Sequence, residues 1–107
     1  MSNWPPSEIF PDRRRPHRLP RPQYQKILQP VFFACATHRR RPILVKRGLG
    51  GALQILLDES ARHYDCEIIT YTIMPDHLHV VALVVREGGD VLSFFKEFKR
   101  GAALAAM

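Results

Sequence analysis

The 107-residue sequence predicts an α+β domain: a ferredoxin-like antiparallel sheet with two helices on one face, short of its last strand. Three observations predict it. Two β-favouring runs, Cys66–Ile73 and residues 78–85, flank Met74-Pro75-Asp76-His77 as the arms of a hairpin flank its turn. A third such run, residues 31–37, comes earlier in the chain. Apolar residues recur at three- and four-residue spacing within 49–64 and again within 91–102, as on one face of a helix. The resulting order is strand, helix, strand, strand, helix.

Each element has its own warrant. Residues 1–29 hold six of the nine prolines, interleaved with Arg13, Arg14, Arg15, Arg18 and Arg21. Proline fixes φ and removes backbone donors, so this segment reads as an extended basic arm ahead of a domain spanning 30–107. The run Val-Phe-Phe-Ala-Cys-Ala-Thr at 31–37 is continuously apolar and suits a strand buried on both faces. His38-Arg39-Arg40-Arg41-Pro42 then ends it. Leu49, Leu53, Leu56, Leu57, Ala61 and Tyr64 mark the apolar face of a first helix, behind glycines at 48, 50 and 51. With Pro75 and Asp76 as the two turn residues of the hairpin, Thr72 stands opposite His79 and Thr70 opposite Val81. After Glu87-Gly88-Gly89, Asp90 is placed to cap a second helix. Val91, Phe94, Phe95, Phe98 and Ala102 form that helix's apolar face, with Lys96, Lys99 and Arg100 on its other side.

Size and composition bound the rest. The chain is one small domain of ordinary soluble composition, and nothing in it approaches the roughly 18 apolar residues of a membrane span. The N-terminus lacks the layout of a secretory signal, so the cytoplasm is the expected compartment. Cys35 and Cys66 belong to no Cys-x-x-Cys motif and read as two buried, reduced thiols. The net charge of +6 is uneven. Residues 31–57 carry five Lys/Arg and no acid, whereas residues 58–87 carry six acids and two bases. A basic half beside an acidic one predicts a surface facing a polyanion, with Arg39, Arg40 and Arg41 held at the end of a strand and Lys96, Lys99 and Arg100 as further nucleic-acid contacts.

The most specific chemistry lies in His77-Leu78-His79. Strand side chains alternate, so the two imidazoles share a face while Leu78 enters the opposite layer. Two residues of rise separate them by roughly 6.6 Å, a span that two metal–nitrogen bonds of about 2.0–2.2 Å can close on one ion. The bland alternative is a pair of strand histidines capping the solvent end of a sheet.

Three ordered blocks carry a resemblance. They are Arg-Pro-His-Arg-Leu-Pro at 15–20 with Val-Phe-Phe-Ala-Cys-Ala-Thr-His-Arg-Arg-Arg-Pro-Ile-Leu at 31–44, Tyr-Thr-Ile-Met-Pro-Asp-His-Leu-His-Val-Val at 71–81, and Phe95-Lys96. Together they resemble the single-tyrosine HUH transposases of the REP-associated and IS200-like kind, over about residues 15–100. The resemblance implies a ferredoxin-like sheet and a divalent metal, magnesium or manganese, on His77 and His79. It also implies DNA transposition on single-stranded or hairpin DNA. There the ion polarises a scissile phosphate and a tyrosine attacks it to leave a 5′-phosphotyrosine.

One departure matters. In that family the tyrosine follows the histidines, on a helix after a further strand, whereas Tyr24, Tyr64 and Tyr71 all precede His77. No catalytic nucleophile is identified, and the chain reads as a C-terminally truncated member. If Thr72 shares the histidines' face, Tyr71 points away from it, as a core aromatic would. The missing strand would leave the edge of 31–37 open, to be covered by a second protomer or else to make the chain poorly soluble. Three readings follow: a metal-dependent nicking transposase, a non-catalytic DNA-binding remnant, and a small metal-dependent hydrolase that uses activated water.

Overall fold

Residue by residue, strand β3 (His77–Val84) alternates between half-buried and buried, and this alternation organises the computed structural model, which describes residues 20–106. Leu78, Val80, Ala82 and Val84 are almost wholly buried. His77, His79, Val81 and Leu83 occupy the other face. β3 is the central strand of a three-stranded antiparallel sheet, between β1 (Val31–Ala36) and β2 (Cys66–Ile73). Helices α1 (Leu49–His63) and α2 (Val91–Ala106) pack on the face that carries Leu78 and Val80, completing an α+β sandwich of the expected order. Among the described residues, β1 and β2 are the two sheet edges.

The hairpin has the register its turn dictates. Ile73 stands opposite Leu78, Thr72 opposite His79 and Thr70 opposite Val81. A bulge at Ile69 then shifts the pairing, so that Ile68 and Cys66 face Ala82 and Val84. The extra residue swaps faces: Cys66 and Ile68 point to the helices, Thr70 and Thr72 to the open side. On the other flank β1 sets Cys35 opposite Leu78, Ala34 opposite His79 and Ala36 opposite His77.

Strand β1 corrects one expectation. It is buried on one face only, with Val31 and Cys35 in the core and Phe32, 63% exposed, on the open side. Phe33 is the link to α2, its ring 3.8 Å from that of Phe95 and edge-on to Phe94. Leu53, Leu57, Phe94 and Phe98 are fully enclosed between the helices and the sheet, each stabilising the fold by about 1.5–3 kcal/mol relative to exposure. Leu56, Tyr24 and Tyr64 pack against this core from its margin.

Two local devices fix the start of α2 and the approach to it. Asp90 caps the helix, its Oδ1 accepting the Ser93 N–H at 3.1 Å. Gly89 precedes it where no side chain fits, since a Cβ there would lie 2.6 Å from Val84 Cγ1 and 2.9 Å from the Tyr64 carbonyl. Residues 20–29 lie against the domain: the Leu28 N–H donates to the Val84 carbonyl at 2.8 Å, and Arg21 pairs with Asp90 at 2.7 Å. Arg13, Arg14, Arg15 and Arg18 of the basic arm lie outside the described residues.

Candidate functional site

A two-residue turn, Pro75-Asp76, carries β2 into β3, closed by the Met74 N–H donating to the His77 carbonyl at 2.8 Å. Proline suits this place because a turn residue needs no ladder donor. The segment after β1 grips the turn through its backbone. The Thr37 N–H donates to the Asp76 carbonyl at 2.8 Å and the Leu44 N–H to the Pro75 carbonyl at 2.9 Å. The buried Thr37 hydroxyl lies 2.6 Å from the Arg41 carbonyl and 3.0 Å from that of Asp76, within reach of both acceptors.

On the open face, immediately behind this turn, the imidazoles of His77 and His79 stand edge to face with their centroids 4.8 Å apart. They help to line a shallow hollow of about 360 Å³ together with Phe32, Thr70, Thr72 and Met74. Phe32 stacks on His79 at 5.6 Å, nearly parallel. His77 Nδ1 lies 2.6 Å from Asp76 Oδ1, and the other oxygen of that carboxylate receives Arg40 Nε at 3.0 Å. The His77 hydrogen bond, aided by Arg40, holds the Asp76 carboxyl below the usual carboxylate range despite the opposing effect of desolvation. His79 Nδ1 is buried and has no hydrogen-bond partner. A buried polar atom without a partner is uncommon enough to require an explanation, and a missing ion or water is one.

The three arginines of the 38–41 turn reach the same end of the sheet. Arg39 and Arg40 both adopt left-handed backbone, with φ of 52° and 57°, a conformation that costs a non-glycine residue on the order of 1 kcal/mol. That turn places the Arg40 guanidinium on Asp76. Lys96, Lys99 and Arg100 sit elsewhere, on α2 and so across the sheet from the histidines. Lys99 lies over the Phe95 ring at 5.8 Å. Tyr71 pairs with Val80 rather than with a histidine, on the strand parity expected of it. As a core aromatic it is corrected, because it is 36% exposed and contributes to the wall of the hollow. Asp76, Thr37 and Phe32 complete the surroundings of the histidines. In the sequence Asp76 reads as a turn residue and Thr37 as the end of the first strand's run, and nothing there marks Phe32 as a neighbour of the histidines.

The family model for IS200-like transposases matches residues 28–104, which takes in all three strands and nearly all of both helices. The chain belongs to the IS200-like transposase family. No curated protein and no solved structure matches it. Membership supports a transposase-like function in general terms, and the family implies DNA as the partner class. Metal dependence is general in the family, yet among the described residues no group of three or more His, Cys, Asp or Glu could hold an ion. The chemistry of the donor set nevertheless suits one, since two imidazoles stand side by side and one presents a buried, unpartnered nitrogen. No helix among the described residues is long and apolar enough to cross a membrane.

Proposed function

We propose that this domain binds single-stranded or hairpin DNA across the His77/His79 end of the open sheet face and holds there a divalent cation, magnesium or manganese. The unpartnered Nδ1 of His79 beside His77 is the observation that carries the reading. A bound ion supplies Lewis-acid polarisation of a phosphate oxygen. The chain's own contribution is placement. The clamped turn fixes His77 relative to the sheet, and the ladder to Ala34 and Thr72 fixes His79. Arg39 and Arg41, beside Arg40 on the adjoining turn, supply positive charge for a backbone that runs past the histidines. Lys96, Lys99 and Arg100 would meet only a strand that wraps around the domain to the helix layer. The free edge of β1 is where a second copy of the chain would pair. The protein acts in the cytoplasm, where such DNA is met.

Nicking and joining of the strand is the activity proposed for the family site, and no nucleophile is assigned to Tyr24, Tyr64 or Tyr71. The position of Tyr71, opposite Val80, favours a second reading in which the domain binds DNA and metal without cutting. One assay separates them: incubation with Mn²⁺ and a hairpin-bearing single strand, followed by native and denaturing gels. A covalent DNA–protein adduct lost in His77→Ala supports nicking by a tyrosine, and cleavage without an adduct supports attack by water. Binding without cleavage, weakened by Arg39→Ala with Arg41→Ala, supports the second reading. Failure to bind the strand at all would overturn both.

A further inference from the structure

We infer that Asp76 is a positioning residue: its carboxylate, itself held by Arg40, fixes His77 in the tautomer protonated at Nδ1 and so keeps the Nε2 lone pair as the ring's only ligand atom. The inference deepens the metal reading above and rests on it for its purpose, though not for its geometry. An ionised carboxylate can only accept hydrogen bonds, and at 2.6 Å from His77 Nδ1 it requires a proton on that nitrogen. In the neutral form of the ring, which carries one proton, Nε2 is then left bare. A histidine that ligates a metal commonly gives its other N–H to a carboxylate in this way, which orients the ring and raises the basicity of the ligating nitrogen.

Three features make this arrangement a held one rather than a chance contact. Asp76 is in the turn and not in the strand, so it escapes the alternation that would point it away from its neighbour. Its backbone carbonyl is gripped by Thr37, which fixes the residue from its main chain. Its second oxygen is occupied by Arg40 Nε at 3.0 Å, from a turn in which Arg39 and Arg40 both adopt left-handed backbone. Strained backbone retained beside a chemical site is a pointer to function. His79 has no such partner on Nδ1, so the two rings are set differently: one by a carboxylate, the other by packing against Phe32.

The test begins with metal-free protein. Long-range ¹⁵N–¹H NMR, recorded where the imidazoles are neutral, reads the tautomer of each histidine, and the amide spectrum reports whether each variant is folded. The native chain is expected to show His77 protonated at Nδ1. Asp76→Asn, which keeps an acceptor oxygen, is expected to preserve that form, and Asp76→Ala to lose it. Mn²⁺ affinity, measured by the EPR signal of the free ion, should fall about 10- to 100-fold in Asp76→Ala and less in Asp76→Asn. Protonation of His77 at Nε2 in the native chain, or an unchanged tautomer in Asp76→Ala, would overturn the inference. So would an Asp76→Asn variant that loses Mn²⁺ as fully as Asp76→Ala while keeping the native tautomer, because Asp76 would then be a ligand itself. If the native chain takes up no Mn²⁺, the metal reading fails and the tautomer comparison alone decides the role of Asp76.

Discussion

Replacing Asp90 by alanine removes a junction that ties the N-terminal segment to α2. Asp90 is 7% exposed, and its Oδ1 accepts the Ser93 N–H at 3.1 Å. Its Oδ2 receives Arg21 Nη2 at 2.7 Å and Gln25 Nε2 at 3.3 Å. Loss of a helix N-cap costs about 1 kcal/mol. Arg21 is half exposed and regains water when its partner goes, so the ion pair adds no more than about 1 kcal/mol. The sum, about 2 kcal/mol, corresponds to a fall in Tm of about 8–16 °C for a domain of this size. Asp90→Asn keeps the cap and loses the charge, so it should show about half that fall.

The effect also has a pH signature. Burial pushes the Asp90 carboxyl up, but the Ser93 N–H, Gln25 and Arg21 outweigh it and hold the group below its ordinary value. A carboxyl depressed by folding stabilises fully above its unfolded pKa, about 3.9, and ceases to do so as the pH falls through the folded value. The Tm gap between native and Asp90→Ala should therefore narrow on acidification below about pH 3.9. Thermal melts followed by circular dichroism measure both. Equal losses in Asp90→Asn and Asp90→Ala, or a gap that does not narrow in acid, would refute the argument.

Two further outcomes follow from burial. Leu78→Ala, at a position 1% exposed between the two histidines, should lower stability by about 2–5 kcal/mol in urea unfolding although both imidazoles remain; a loss below about 1 kcal/mol would mean that the helix side of β3 is not the core. Cys35 and Cys66 are buried thiols outside any disulfide, and burial pushes the Cys66 thiol up to about 11. Ellman's reagent should find neither thiol in the folded protein and both after denaturation, and rapid labelling of Cys66 in the folded state would contradict its enclosure.

The parts of this fold that were legible are those whose cause is local. Pro75-Asp76 sets the hairpin register, which carries Thr72 opposite His79, and helical spacing marks Leu53, Leu57, Phe94 and Phe98 as core. The bulge at Ile69 has no local signature, because Ile68-Ile69 reads as an unbroken strand. The faces of β1 were hidden for a related reason: a continuous apolar run has no alternation, so nothing in it marks Phe32 as open and Cys35 as closed. That the two histidines share a face was legible from strand alternation. Their setting was not, since Thr37, Arg40 and Asp76 meet across 36 to 39 residues of chain. The separation of Lys96, Lys99 and Arg100 from the histidines by the sheet likewise appears only when the helices are docked.

The grip that Thr37 and Leu44 exert on the hairpin tip is made to the carbonyl oxygens of Asp76 and Pro75 rather than to their side chains. Any residue that accepts the same backbone path presents the same two carbonyls to Thr37 and Leu44. The position of the tip is thus separable from the chemistry displayed on it. Carboxylate, amide or further imidazole groups at 76 and 77 can be exchanged on a backbone that Thr37 and Leu44 hold in place, which makes this turn a natural place for varying the displayed groups without rebuilding the domain.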